Sequence, residues 1–282
     1  MIMKELKIPN APSAIQKGVP LKMVLDKAAI QQLGENLRHV YKPFDKAAFA
    51  RDALDGIEPL SITRRSEHIA VILRKHLPGT YSEAIGIMLK SLTPPLEKTE
   101  DNGLAVFFYM PHCHYIAKYG IDKKYNNDED PFDISMHAQY ELTKRFSCEF
   151  SIRPFIIKDE DRTMKVLYEW MKDANPHVRR LCSEGTRPRL PWAIRIPSFI
   201  SDPSPAIPIL EKLKNDPDLY VRRSVANHIG DMAKDNLKLA LTLCDHWLTD
   251  ASAELKWVIR HALRHPAKKG DSAALKIRKA AK

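Results

Sequence analysis

Asn175-Pro176-His177-Val178-Arg179-Arg180 returns further along the chain as Asp216-Pro217-Asp218-Leu219-Tyr220-Val221-Arg222-Arg223. In each copy a turn dipeptide ending in proline precedes an apolar-periodic run, as expected of a residue tolerated only at the start of a helix. A valine then faces inward and two arginines face out. A fainter third copy is Trp257-Val258-Ile259-Arg260. The valines lie 43 and then 37 residues apart, close to the length of two-helix units that bury their apolar stripes only against their neighbours. The spacing predicts an all-α superhelix, a solenoid of helix pairs with a concave inner face.

The rest of the chain supports helices over strands. Only ten glycines occur in 282 residues, and β-branched alternation is scarce. Helical apolar spacing recurs in residues 21–41, 69–73, 84–92 and 164–171. Prolines at 43, 59, 78, 94, 95, 131, 154, 176, 217 and 266 separate these runs and mark the turns between helices. Residues 126–130 read as a solvated acidic loop. The expected division is an N-terminal extended segment over 1–20, a helical solenoid over 21–265 and a basic C-terminal tail over 266–282.

Net charge is +10 and unevenly placed. Residues 1–160 hold 22 Lys/Arg against 21 Asp/Glu, whereas 161–282 hold 23 against 14. The excess therefore sits with the repeats, where it favours an anionic partner such as nucleic acid through counterion release and steering; solubility alone is the plainer reading. Residues 1–18 have no apolar core of a secretory signal. The longest apolar run, residues 104–110, is about a third of a membrane span. The four cysteines include no C-x-x-C pair and imply no disulfide framework. These features predict a soluble, cytoplasmic protein without membrane contact. The absence of phosphate-loop, dinucleotide and nucleophile-elbow motifs argues against a nucleotide cofactor or serine-hydrolase chemistry.

Several side chains carry chemistry. Arg180, Arg223 and Arg260 occupy one repeat position, and Arg179, Arg187, Arg189, Arg195 and Arg222 lie on the same segments. They read either as a solvated face or as a track of guanidinium groups for phosphates. Glu184 aligns with Asn227, one helical turn before Asp231, so both acids are expected on one face. They either bridge to neighbouring arginines, or they stabilise a cation formed in reaction and orient a water. Trp192 follows the proline-stiffened Arg187-Pro188-Arg189-Leu190-Pro191. It could pack on the next helix or lie against a base or sugar. His112-Cys113-His114 has no second ligand pair at metal-site spacing, and adjacent side chains point apart, so no metal is expected there.

At Ser183-Glu184-Gly185-Thr186-Arg187-Pro188-Arg189-Leu190-Pro191-Trp192 the sequence resembles the DNA alkylation repair glycosylases of the AlkC/AlkD type, and the AlkC branch in particular. Leu142 to Phe155, Asp216 to Asp231 and Phe108 to Gly120 are similar to the same branch. The likeness covers roughly residues 100–265. It implies HEAT-like repeats that bind damaged duplex DNA in a concave groove and excise N3-alkylated bases, chiefly 3-methyladenine and also 3-methylcytosine, with no metal or cofactor. It implies Glu184 and Asp231 as catalytic carboxylates, and Glu149 and Trp192 as residues lining the site.

Arg180, Arg187, Arg189, Arg222, Arg223 and Arg260 are then the expected DNA contacts, and a monomer is the expected state. Some members of the branch carry a further C-terminal immunoglobulin-like domain. Here the basic segment 266–282 is expected to substitute in part through sequence-independent charge. Two other functions compete. A noncatalytic HEAT-repeat binder of branched or damaged DNA would keep the arginines without needing the acids, and a protein-interaction scaffold would need neither.

Overall fold

The computed structural model describes residues 6–282, and every regular element among them is helical. Residues 1–5, part of the expected extended segment, lie outside the described residues. Residues 6–20 contain no helix, and a short 3-10 turn follows at Leu21–Leu25. Among the described residues no helix is long and apolar enough to cross a membrane.

The chain divides into two compact units, Met1–Ser151 and Ile152–Lys282. The first holds α1 (Lys27–Val40), α2 (Lys46–Leu54), α3 (Ile62–His76), α4 (Tyr81–Lys90), α5 (Met110–Tyr119) and α6 (Phe132–Thr143). Asp26, Asp45, Ser61 and Thr80 accept backbone N–H bonds at the starts of α1 to α4. These side chains satisfy donors that a helix start leaves unpaired. α1 packs on α2, α3 on α5, and α4 on α6. His112 and Cys113 are buried here. Burial alone holds the His112 imidazole down at about 3. His114 Nδ1 lies 2.6 Å from Ser66 Oγ instead of sharing a site with them.

The second unit holds α7 (Ile152–Lys158), α8 (Glu160–Trp170), α9 (Pro176–Gly185), α10 (Pro197–Ser201), α11 (Ile207–Leu213), α12 (Leu219–Met232), α13 (Leu237–Trp247), α14 (Ala253–Ala262), α15 (Arg264–Lys268) and α16 (Ser272–Ala280). α12 packs against both α9 and α14, while α8, α11 and α13 lie against these helices in turn. The three repeat valines, Val178, Val221 and Val258, are each fully buried along α9, α12 and α14. Each therefore holds an apolar contact between successive repeats, as the spacing predicts.

The first arginine of each repeated pair belongs to the scaffold. Arg179 Nη1 donates to the carbonyls of Asp173 and Ala174, six and five residues back, and Arg222 Nη1 donates to those of Asp216 and Pro217 at the same offsets. Each thus ties its helix to the turn that leads into it. Arg179 also bridges forward, with Nε 2.6 Å from Asp216 Oδ2 and Nη2 3.1 Å from Asp218 Oδ2. Arg222 is accordingly a turn-binding residue in this structure, where the sequence reading placed it among the outward phosphate ligands.

The expected basic tail is also structured. Asp271 caps α16 by accepting from Ala274 N at 2.8 Å, and Ala274, Ile277 and Ala281 are buried as the helix packs on α13 and α14. Two helical glycines mark close approaches. A Cβ on Gly185 would meet Ile152 Cγ2 at 2.5 Å, and one on Gly230 would lie 3.3 Å from the Ala262 carbonyl oxygen.

Candidate active site

Glu184 is the penultimate residue of α9, and Asp231 lies in the last turn of α12. Because these helices are packed neighbours, the two carboxylates approach from successive repeats, and each residue is only 4% exposed. The guanidinium of Arg187 spans them. Its Nη1 is 2.5 Å from Glu184 Oε1, and its Nε and Nη2 lie 2.7 and 2.6 Å from Asp231 Oδ2. Arg187 is 8% exposed, so it acts here as a buried bridge between the acids and not as an open phosphate ligand.

The remaining carboxylate oxygens have partners of their own. Ser224 Oγ donates to Glu184 Oε2 at 2.6 Å, Arg180 Nη2 lies 3.3 Å from Glu184 Oε1, and Lys234 Nζ is 2.6 Å from Asp231 Oδ1. Burial pushes the Glu184 carboxyl up, but the charges of Arg180 and Arg187 and the Ser224 hydroxyl outweigh it and hold the group below the usual carboxylate range. Burial likewise disfavours the charged form of Arg187, and the two carboxylates more than restore it. Glu184 is therefore ionised at neutral pH despite its burial.

Two residues given no role by the sequence build the floor of this site. Arg153 of α7 is fully buried. It donates to the carbonyls of Gly185, Arg187, Pro188 and Ile194 at 3.0, 2.6, 3.3 and 2.5 Å. Its fork thus organises the loop that carries Arg187 and Trp192, since a rigid guanidinium can satisfy several carbonyls at once. His228, fully buried on α12, donates from Nδ1 to the Ser183 carbonyl at 2.9 Å, while its Nε2 is buried without a hydrogen bond. Burial pulls its imidazole down to about 4. Both contacts join residues more than thirty positions apart, and no local motif signals them.

The other expected residues fall in different surroundings. Trp192 is 67% exposed at backbone φ 64°, a left-handed conformation, with Ile194 also exposed nearby in the loop. It does not pack on the next helix as a buried residue would. Arg189 forms a two-pronged pair with Asp235 at 2.5 and 2.7 Å. Arg180 lies 5.1 Å from the centre of the Tyr220 ring besides reaching Glu184. Arg223 is exposed on α12, whereas Arg260 donates to the Ala281 carbonyl at the end of α16. The three equivalent arginines 180, 223 and 260 thus have three distinct environments. Glu149 lies in the first unit, half-buried in the turn between Cys148 and Ser151. Among the described residues no group of three or more His, Cys, Asp or Glu side chains is placed to hold a metal.

No family model matches the chain. It is 36% identical over 258 residues to the uncharacterized protein YhaZ of Bacillus subtilis (strain 168), which covers 91% of this chain and 67% of the relative. It also superposes with a TM-score of 0.79 and 35% identity on a solved structure of Pseudomonas fluorescens. That structure is the alkylpurine DNA glycosylase AlkC bound to DNA containing an abasic site analogue, and the match spans 92% of this chain and 67% of that one. The chain spans about two thirds of the length of each. Shared sequence across nine-tenths of its residues, on an all-α fold of HEAT-like helical repeats, places the chain in the family of the alkylpurine DNA glycosylase AlkC.

Proposed function

We propose that this protein is a DNA glycosylase that hydrolyses the N-glycosidic bond of cationic alkylated bases in duplex DNA, 3-methyladenine foremost and 3-methylcytosine besides. The observation that carries the reading is the pair of buried carboxylates, Glu184 and Asp231, brought together from successive repeats and bridged by Arg187. A base alkylated at N3 is already positive, so it departs neutral and leaves the developing charge on the deoxyribose. Protonation of the leaving group is then unnecessary. An anion close to C1′ favours the oxocarbenium-like state and holds the attacking water, as carboxylates do in glycoside hydrolysis.

In this reading Asp231 and Glu184 face the sugar, and Arg187 fixes their geometry while moderating their mutual repulsion. Trp192 lines the lesion, and Arg180, Arg189 and Arg223 meet the DNA backbone. The solved relative, named as an alkylpurine DNA glycosylase bound to DNA, supports the reaction class.

The test is incubation of purified protein with methylated duplex and chromatographic identification of the freed bases. Asp231→Asn removes the anion while nearly keeping its shape. Release of 3-methyladenine should fall by about 10²-fold or more, the scale for losing a preorganised electrostatic partner. Release by this variant at the wild-type rate would reject the assignment. Duplex binding without any base release would point to a noncatalytic DNA binder instead.

A further inference from the structure

Near Asp231 sits a guanidinium that, among the described residues, has no carboxylate of its own. Arg264 opens α15 and stands, in repeat register, where the two preceding repeats have Asn227 and Glu184. Its Nη1 donates to the His261 carbonyl at 2.6 Å and its Nη2 to Asn227 Oδ1 at 3.1 Å, two neutral acceptors. Burial, and then the like charge of Arg187, disfavours its cationic form, and Asp231 offsets only part of this. A half-buried cation left in that state is a ready partner for an incoming anion.

A cavity opens at the next residue, His265, with Arg264 itself not on its wall. Gly230 lies between the two, since a Cβ there would be in ordinary contact with Arg264 Nη1 at 3.9 Å. Gly230 also lines the cavity, of about 440 Å³, together with Lys234, His265 and Lys269. The one carboxylate on its wall, Asp271, is engaged as the cap of α16. The field in the cavity is positive. Burial and then the charges of Arg264, Lys234 and Lys268 hold the His265 imidazole below its ordinary value, against the opposing pull of Asp231.

We propose that Arg264, Lys234, His265 and Lys269 form an anion subsite that receives one phosphodiester of bound DNA next to Asp231. The inference rests on the reading of duplex DNA as substrate. A phosphate here would pair with the uncompensated guanidinium. It would also give Lys234 a second anion, loosening its hold on Asp231 Oδ1 as the sugar arrives. DNA docking and exposure of the carboxylate would then be one event.

The imidazole of His265 is the reporter. Its titration is followed by NMR in the full chain, free and saturated with a duplex carrying a tetrahydrofuran abasic-site analogue, with His265→Gln identifying the signal. Bound duplex should raise the His265 pKa by about one unit or more, the effect of an anion within a few ångströms. Arg264→Gln should abolish that rise and flatten the slope of log affinity against log salt by about one, while Arg264→Lys restores most of both. Arg264 also holds the end of α14, so Lys269→Ala, an exposed side chain, supplies a second test of the salt slope in a folded protein. If the duplex binds to saturation while His265 titrates as in the free chain, the subsite is wrong and the enzyme reading stands. If neither duplex binding nor base release occurs, the enzyme reading fails and the subsite with it.

Discussion

Without the guanidinium of Arg187, two buried carboxylates would face one another across the α9–α12 contact. Arg187→Met should therefore destabilise the protein by about 3–5 kcal/mol, the cost of stranding buried charges. Arg187→Lys, which cannot span both acids, should fall between. Calorimetric melting of the three proteins checks this, and equal melting temperatures would show the acids to be solvated. His228 gives a second expectation. Its folded pKa, about 4, lies below the ordinary 6.5, so between these values the unfolded chain binds more protons and stability rises with pH. The contribution is complete above pH 6.5 and declines as pH falls toward 4, at up to about 1.4 kcal/mol per pH unit. His228→Gln should flatten that part of the stability curve in urea titrations, and an unchanged slope would reject the assignment. Glu184 adds its own loss further into acid, since its depressed carboxyl must be protonated there. The candidacy of Glu184 and Asp231 was legible in the repeat register. Bridging by neighbouring arginines was one of the readings, but that Arg187 makes the bridge was not legible, because Arg187, Arg189 and Arg195 look alike in sequence and the loop that sorts them is held by the fork of Arg153 in α7.

Among the helices, the repeated Val-Arg-Arg pattern separates into two roles that one assay can tell apart. Arg222 ties α12 to its preceding turn, so Arg222→Ala should lower stability by about 2 kcal/mol, the value of hydrogen bonds from a charged group, with the salt slope of duplex binding unchanged. Arg223, one residue on and exposed, should behave oppositely. Its loss should leave melting nearly intact and flatten the salt slope by about one unit. The opposite assignment of effects would exchange their roles. The helices α1, α3, α4, α8, α9, α12 and α14 could be read from proline placement, apolar spacing and the repeats. α16 escaped because Ala274, Ile277 and Ala281 are a thin stripe among lysines, and the stripe gains meaning only against α13 and α14. The split at Ser151 was likewise invisible, because Leu142 to Phe155 runs across it without a glycine or an acidic linker.

For the molecule as a whole, the surplus of basic residues in 161–282 accompanies a pair of carboxylates of which Glu184 is held ionised. That combination predicts chemical selectivity. Cationic lesions with already weakened glycosidic bonds should be released, and N3-methyl adducts should outrank 7-methylguanine, whose bond is less labile. Uracil in duplex DNA should remain untouched, since a neutral base needs leaving-group stabilisation that Glu184, held ionised, does not offer. Side-by-side assays on methylated and uracil-containing duplexes check this, and efficient uracil release would contradict the mechanism.

The left-handed backbone at Trp192 sets thermal robustness against purpose at a single codon. A bulky side chain at that φ costs on the order of 1 kcal/mol relative to glycine, and the indole recovers little of it by burial because most of its surface meets solvent. A library of variants sorted only for heat resistance should drift to glycine or asparagine at this position. Under the proposed function, one sorted for base release should keep the tryptophan, and the divergence between the two populations would measure how much steadiness the fold forgoes to hold an aromatic ring out in solvent.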